Sequence, residues 1–137
     1  MKAFLDSCFL IYLNAMVDDE RRLIEELFRR LLEEQLFTNM LVVDEVLYIS
    51  RKYRVSYETT LDFLKNTVLP YAEVLPVEEE DFKPVEKYLL KYGLKPSDAI
   101  HLATMEKAGI SNIVSEDREF DRVKGIKRIW VTPNAEE

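Results

Sequence analysis

The chain has 137 residues, of which 47% are hydrophobic and 33% charged, a composition that excludes a disordered segment or a fibre and suffices for one buried core. Its one cysteine, Cys8, excludes an intramolecular disulfide and a Cys-rich zinc site and points to a reducing, cytoplasmic setting. The formal net charge of −7 argues against nucleic-acid binding through overall charge, which leaves local basic groups such as Arg21/Arg22, Arg29/Arg30 and Arg51/Lys52/Arg54 to meet a phosphate backbone.

Residues 1–4 lack the basic-then-apolar pattern of a signal peptide, and no apolar run is long enough to span a bilayer, so the expectation is a single domain over residues 1–137 with no membrane span. The run 2–5 reads as a strand that ends at Asp6, with a helix starting at once and Ser7 available as its N-cap. From 19 to 37, Leu23, Ile24, Leu27, Phe28, Leu31 and Leu32 recur at helical spacing, while Glu25/Arg29 and Glu26/Arg30 sit one turn apart. Further helices are expected over 42–53 and 57–68, the latter closed by Pro70. The segment between the first two strands is thus predicted to be all helical.

The run 72–77 reads as the second strand, and Glu78-Glu79-Glu80-Asp81 suits the first turn of a helix that exits at Gly93. Pro96-Ser97 opens another helix, ending at Gly109. Short strands follow at 112–115 and 127–131, with a turn around Gly125 between them. Strands alternating with helices imply an α/β fold with an open parallel sheet covered on both faces.

In such sheets functional groups gather where strands end and helices begin. Asp6 follows the first strand, Asp117 follows the strand at 112–115, and Asp98 sits in the opening turn of its helix. Any one of them alone would read as a helix-opening or loop residue. Their convergence would make the carboxylates repel unless cations or protons intervened, and oxygen-only ligands suit hard cations such as Mg²⁺ or Mn²⁺. On the helix at 42–53, Asp44 and Glu45 both have apolar neighbours a turn away, and periodicity does not separate them. Asp121 is a further candidate ligand, with a solvated loop acid as the alternative. Ser115 could orient a ligand or bond local backbone. His101 lies three residues after Asp98 and can share its helical face, as a ligand, a proton carrier or a packed ring. Cys8, with no basic neighbour in sequence, is expected in the core rather than as a reactive thiol.

Four blocks now stand in order: Phe4-Leu5-Asp6-Ser7-Cys8-Phe9-Leu10-Ile11, Val43-Asp44-Glu45-Val46-Leu47, Asp98-Ala99-Ile100-His101-Leu102-Ala103-Thr104, and Ser115-Glu116-Asp117-Arg118-Glu119-Phe120-Asp121. Together they resemble the PIN-domain family, especially its small stand-alone VapC-like toxin ribonucleases. The resemblance implies a three-layer α/β/α sandwich and Mg²⁺- or Mn²⁺-dependent endoribonuclease activity on RNA. It assigns Asp6, Glu45, Asp98 and Asp117 to the metal and catalytic positions and chooses Glu45 over Asp44. It also implies a protein antitoxin as partner and a homodimer. Cys8 departs from the Asn or Ser often found two places after the first Asp. The rival reading from another class is a catalytically inactive PIN-fold module that binds RNA or protein. A haloacid-dehalogenase-type phosphatase needs a second Asp where this chain has Cys8, and a nucleotide-binding domain lacks its glycine loop here.

Overall fold

A computed structural model describes residues 1–131. Five short strands, β1 (Lys2–Leu5), β2 (Gln35–Asn39), β3 (Ala72–Leu75), β4 (Asn112–Val114) and β5 (Lys127–Ile129), form one sheet in the order β3-β2-β1-β4-β5, and every pairing is parallel. β1 is central, and Ala3, Phe4 and Leu5 are fully buried, as expected of a strand covered on both faces. Between β1 and β2 lie α1 (Ser7–Ala15) and α2 (Glu20–Leu31), and between β2 and β3 lie α3 (Met40–Lys52) and α4 (Tyr57–Phe63). Between β3 and β4 lie α5 (Phe82–Leu90) and α6 (Pro96–Ala108).

The connections β1 to β2 and β2 to β3 step one way across the sheet, whereas β3 to β4 steps back past β1. Because parallel crossovers are right-handed, that reversal sends α5 and α6 to the face opposite α1 to α4. The helix contacts agree: α1 packs on α2 and α3, α3 packs on α4, and α5 packs on α6, which gives the three-layer α/β/α arrangement. The chain leaves β1 and β4 in opposite directions, so a crevice opens between their carboxyl ends.

The predicted helix over 19–37 is corrected over 32–37. α2 stops at Leu31, and β2 follows within four residues, so the segment between β1 and Ala72 is not all helical and the strand beginning at Ala72 is the third. Residues 31–37 contain no glycine or proline and several good helix formers, so nothing local marks the boundary. Pairing decides it: Lys2, Ala3 and Phe4 align with Gln35, Leu36 and Phe37, and both Leu36 and Phe37 become buried. Three smaller adjustments follow. The helix predicted over 57–68 ends as a π turn at Leu64–Val68, where the Leu69 N–H donates to the Leu64 carbonyl at 2.8 Å. The acids before α5 form a 3₁₀ turn, Glu79–Asp81, instead of its first α turn. Asp6, not Ser7, caps α1, its carboxylate accepting the Ser7 N–H at 2.8 Å.

Candidate metal centre

Asp6 is delivered to the crevice by β1 and fixed there by the cap of α1. Its Oδ1 accepts from Ser7 N and its Oδ2 accepts from Ser115 Oγ at 2.7 Å. Ser115, just past β4, also accepts the Asp117 N–H at 3.1 Å, so a single hydroxyl ties the ends of the two central strands together. Asp117 caps the 3₁₀ turn Arg118–Arg122 by accepting the Glu119 N–H at 2.9 Å. Across the crevice, Pro96 at the start of α6 sets the first turn, which places Asp98 where the helix dipole favours an anion. α3 contributes Glu45, whose Oε1 lies 3.0 Å from His101 Nε2, while Asp44 on the adjacent helical position is exposed.

The result is a cleft of about 350 Å³ whose walls include Asp6, Glu45, Asp98, Glu116 and Asp117. Among the described residues lining it, Lys95 is the only cation. Ligand atoms of Asp6, Asp98 and His101 lie within 4.8 Å of one another, and those of Asp98, Asp117 and Glu119 do likewise, so Asp98 belongs to both groups.

Crowded, poorly solvated carboxylates hold protons more tightly. Burial, together with the charges of Asp6 and Asp117, pushes Asp98 up to about 7. Burial also raises Asp6, although His101, Ser115 and the Ser7 N–H oppose it. Glu45 is lowered on balance: burial raises it, but hydrogen bonding, led by His101, prevails. The imidazole is raised on balance, since burial lowers it but Glu45 and Asp6 outweigh that. Burial and the Asp6 charge push the Cys8 thiol up to about 12, which disfavours the reactive thiolate at neutral pH. Cys8 is, however, not a core residue as expected: it is half-buried in the cleft wall, where its Sγ accepts the Glu116 N–H at 3.3 Å.

Asp121 stands apart from the cleft, 53% exposed and held by Arg128 at 3.0 and 3.3 Å. Lys95, Glu116 and Glu119 escaped the sequence reading. Glu119 had a signal, being two residues beyond Asp117 within the same block, but only the 3₁₀ turn brings it round. His101 is fully buried, yet it contacts the acids rather than only the core. The donor set is oxygen-rich, deficient in internal positive charge and open on one side, which fits a hard divalent cation.

The PIN domain family profile matches residues 3–126, and the chain belongs to that family. Over 114 residues it is 34% identical to a VapC ribonuclease of Mycobacterium bovis and to ribonuclease VapC13 of Mycobacterium tuberculosis, covering 81% of this chain and 83% of each relative. Among solved structures, Mycobacterium tuberculosis VapC20, described as a sarcin-ricin loop cleaving toxin, superposes with a TM-score of 0.72 at 18% identity, covering 87% of this chain and 92% of that one. A toxin-antitoxin complex from Klebsiella pneumoniae gives 0.65 at 21% identity, with 96% and 97% covered. These two structural likenesses concern the fold.

Proposed function

We propose that this PIN-domain protein is a metal-dependent endoribonuclease, the toxin of a toxin-antitoxin pair, using Asp6, Glu45, Asp98 and Asp117 to hold Mg²⁺ or Mn²⁺. The observation that carries the reading is the convergence of these acids, from four separate segments, on one cleft at the β1/β4 switch point. The names of the 34% identical relatives supply the reaction class. A divalent cation in the cleft would activate water for in-line attack on a phosphodiester and offset charge developing on the phosphate oxygens.

The chain's own part is preorganisation. Ser7 N and Ser115 Oγ orient Asp6, and His101 orients Glu45. The Asp98 carboxylate has no hydrogen-bond donor among the described residues, so its oxygens face the cleft as ligands. Lys95 at the rim is placed to meet an RNA phosphate, which the acids alone would repel. The finer parts of the proposal are a protein antitoxin, a homodimer, a cytoplasmic setting and one domain over residues 1–137, of which 132–137 lie outside the described residues. No helix among the described residues is long and apolar enough to cross a membrane.

The test is cleavage of a structured RNA with Mg²⁺ or Mn²⁺, with and without chelator, by the native chain and by Asp6→Asn. The expected result is cation-dependent cleavage that Asp6→Asn abolishes. Cation binding without cleavage would instead make the protein an RNA- or protein-binding module.

A further inference from the structure

Asn39 is the last residue of β2 and the N-cap of α3, and its Oδ1 accepts the Val42 N–H at 2.9 Å. That contact fixes the orientation of the amide, because the opposite orientation would set two N–H donors face to face. Nδ2 is therefore the atom turned toward α6, 3.2 Å from His101 Nδ1 and 3.2 Å from Thr104 Oγ1. Asn39, His101 and Thr104 are all completely buried, so water does not substitute for any of these partners. The Thr104 hydroxyl donates to the His101 carbonyl at 2.8 Å, which leaves its lone pairs to accept from Asn39.

An amide N–H only donates, so His101 Nδ1 must present a lone pair to it. The ring proton then resides on Nε2, which points at Glu45 Oε1 at 3.0 Å with Asp6 Oδ1 3.8 Å away. The two carboxylates draw the ring toward imidazolium, but an imidazolium needs an acceptor at Nδ1, and the fixed amide offers a donor there.

We infer that Asn39 is a positioning residue that holds His101 as the neutral Nε2–H tautomer, so that the imidazole donates to Glu45 Oε1 and stays out of the cation's ligand set. His101 lies close enough to Asp6 and Asp98 to be a ligand by distance alone. With Nε2 carrying a proton and Nδ1 occupied by Asn39, neither nitrogen has a lone pair to give. What the ring does is hold Oε1 of Glu45 at 3.0 Å and so fix a carboxylate that lines the cleft. Partners of this kind around metal ligands set ligand orientation. The ligand half of the inference rests on the proposed cation site; the tautomer half stands without it.

His101 is the only histidine in the chain, so a long-range ¹H–¹⁵N spectrum of ¹⁵N-labelled protein reports one ring without ambiguity. In the metal-free native protein at neutral pH the expected pattern is a pyrrole-like Nε2 and a pyridine-like Nδ1, retained when diamagnetic Mg²⁺ is added. The reverse pattern, two pyrrole-like nitrogens, or loss of the Nε2 proton on adding Mg²⁺ overturns the inference. Asn39→Asp keeps an oxygen for the Val42 N–H and puts a second one opposite Nδ1, so a proton should appear on Nδ1; an unchanged spectrum counts against Asn39 as the controlling group. Mn²⁺ titration adds the functional readout. His101→Gln keeps an N–H donor toward Glu45 and should bind Mn²⁺ within a few-fold of native, whereas His101→Leu should lose roughly 10–100-fold. Equal losses in the two variants would overturn the donor role. If the native chain bound no Mn²⁺ at all, the proposed cation site would fail while the tautomer result still stood.

Discussion

Two acidic clusters occupy opposite ends of α6, and the chain treats them differently. At the C-terminal end, Glu78, Glu80 and Asp81 gather around Lys107, whose Nζ lies 2.9, 3.7 and 3.1 Å from them. There the Lys107 hydrogen bond lowers Glu78, and Asp81 also accepts the Glu78 N–H at 2.8 Å in a capping box. At the N-terminal end, Asp6, Glu45, Asp98 and Asp117 share a cleft whose one lining cation, Lys95, is exposed and makes no ion pair among the described residues. Asp98 accordingly rises to about 7. Acidic residues alone therefore do not mark a metal centre. A cluster that carries its own lysine is structural, and one whose charge is left uncompensated requires something from outside.

The largest expected effect separates the clusters by activity. Asp98→Asn keeps the side-chain shape and removes one charge, so RNA cleavage should fall by orders of magnitude while the metal-free fold remains as stable or becomes more so. Full cleavage, with unchanged stabilisation by Mn²⁺ in a thermal scan, would remove Asp98 from the site.

Cation binding should come next in size. Mn²⁺ at a hundred times its dissociation constant should stabilise the native chain by about 2.7 kcal/mol, a rise in melting temperature on the order of 10 °C, and chelator should reverse it. Asp6→Asn should abolish most of this rise, whereas Lys107→Met should leave it intact. A rise that survives Asp6→Asn would put the cation elsewhere.

The clusters should also differ in pH dependence. With its pKa raised from 3.8 in the unfolded chain to about 7 in the fold, Asp98 makes the folded state bind the extra proton between those values. Stability from this group is thus fully present below pH 4 and is lost as pH climbs to about 7. The size is on the order of 2 kcal/mol, roughly half of what the full shift would give, because the carboxyl lines a cleft that opens to solvent. Metal-free unfolding curves should show this fall in the native chain and a flatter profile in Asp98→Asn. Glu78 has the opposite sign: its lowered pKa adds stability at neutral pH that disappears on acidification.

Smaller changes test the lysine end. Lys107→Met leaves buried Asp81 without its cation and should cost roughly 1–2 kcal/mol in denaturant unfolding, with RNA cleavage by the folded protein retained. Smallest of all, Asp121→Asn breaks an exposed pair with Arg128 and should change stability by about 0–1 kcal/mol and leave Mn²⁺ affinity unchanged. A marked loss of Mn²⁺ affinity in Asp121→Asn would return that residue to the cleft.

The sequence by itself determined the elements whose ends carry local chemistry. Asp6 after an apolar run, Pro96 before Asp98, and Gly109, at φ 72°, closing α6 are each decided within a few residues, so strand ends and helix starts could be read, and the acids with them. The order of the four blocks gave the family for the same reason. Tertiary structure alone decided what depends on partners distant in the chain. β2 exists because Leu36 and Phe37 find β1 and β3, not because residues 31–37 disfavour a helix. The rotation of α3 under its Asn39 cap turns Glu45 toward His101 and leaves Asp44 exposed, and one residue's shift on a helix is about 100°, too fine for periodicity to assign when both positions have apolar neighbours. Asp121 goes to Arg128, and Glu119 comes in beside Asp98, because a 3₁₀ turn sets their directions. Electrostatic balance is likewise a property of distance: only the folded chain brings Lys107 to one group of acids and leaves the other to share a cleft with a lone exposed lysine.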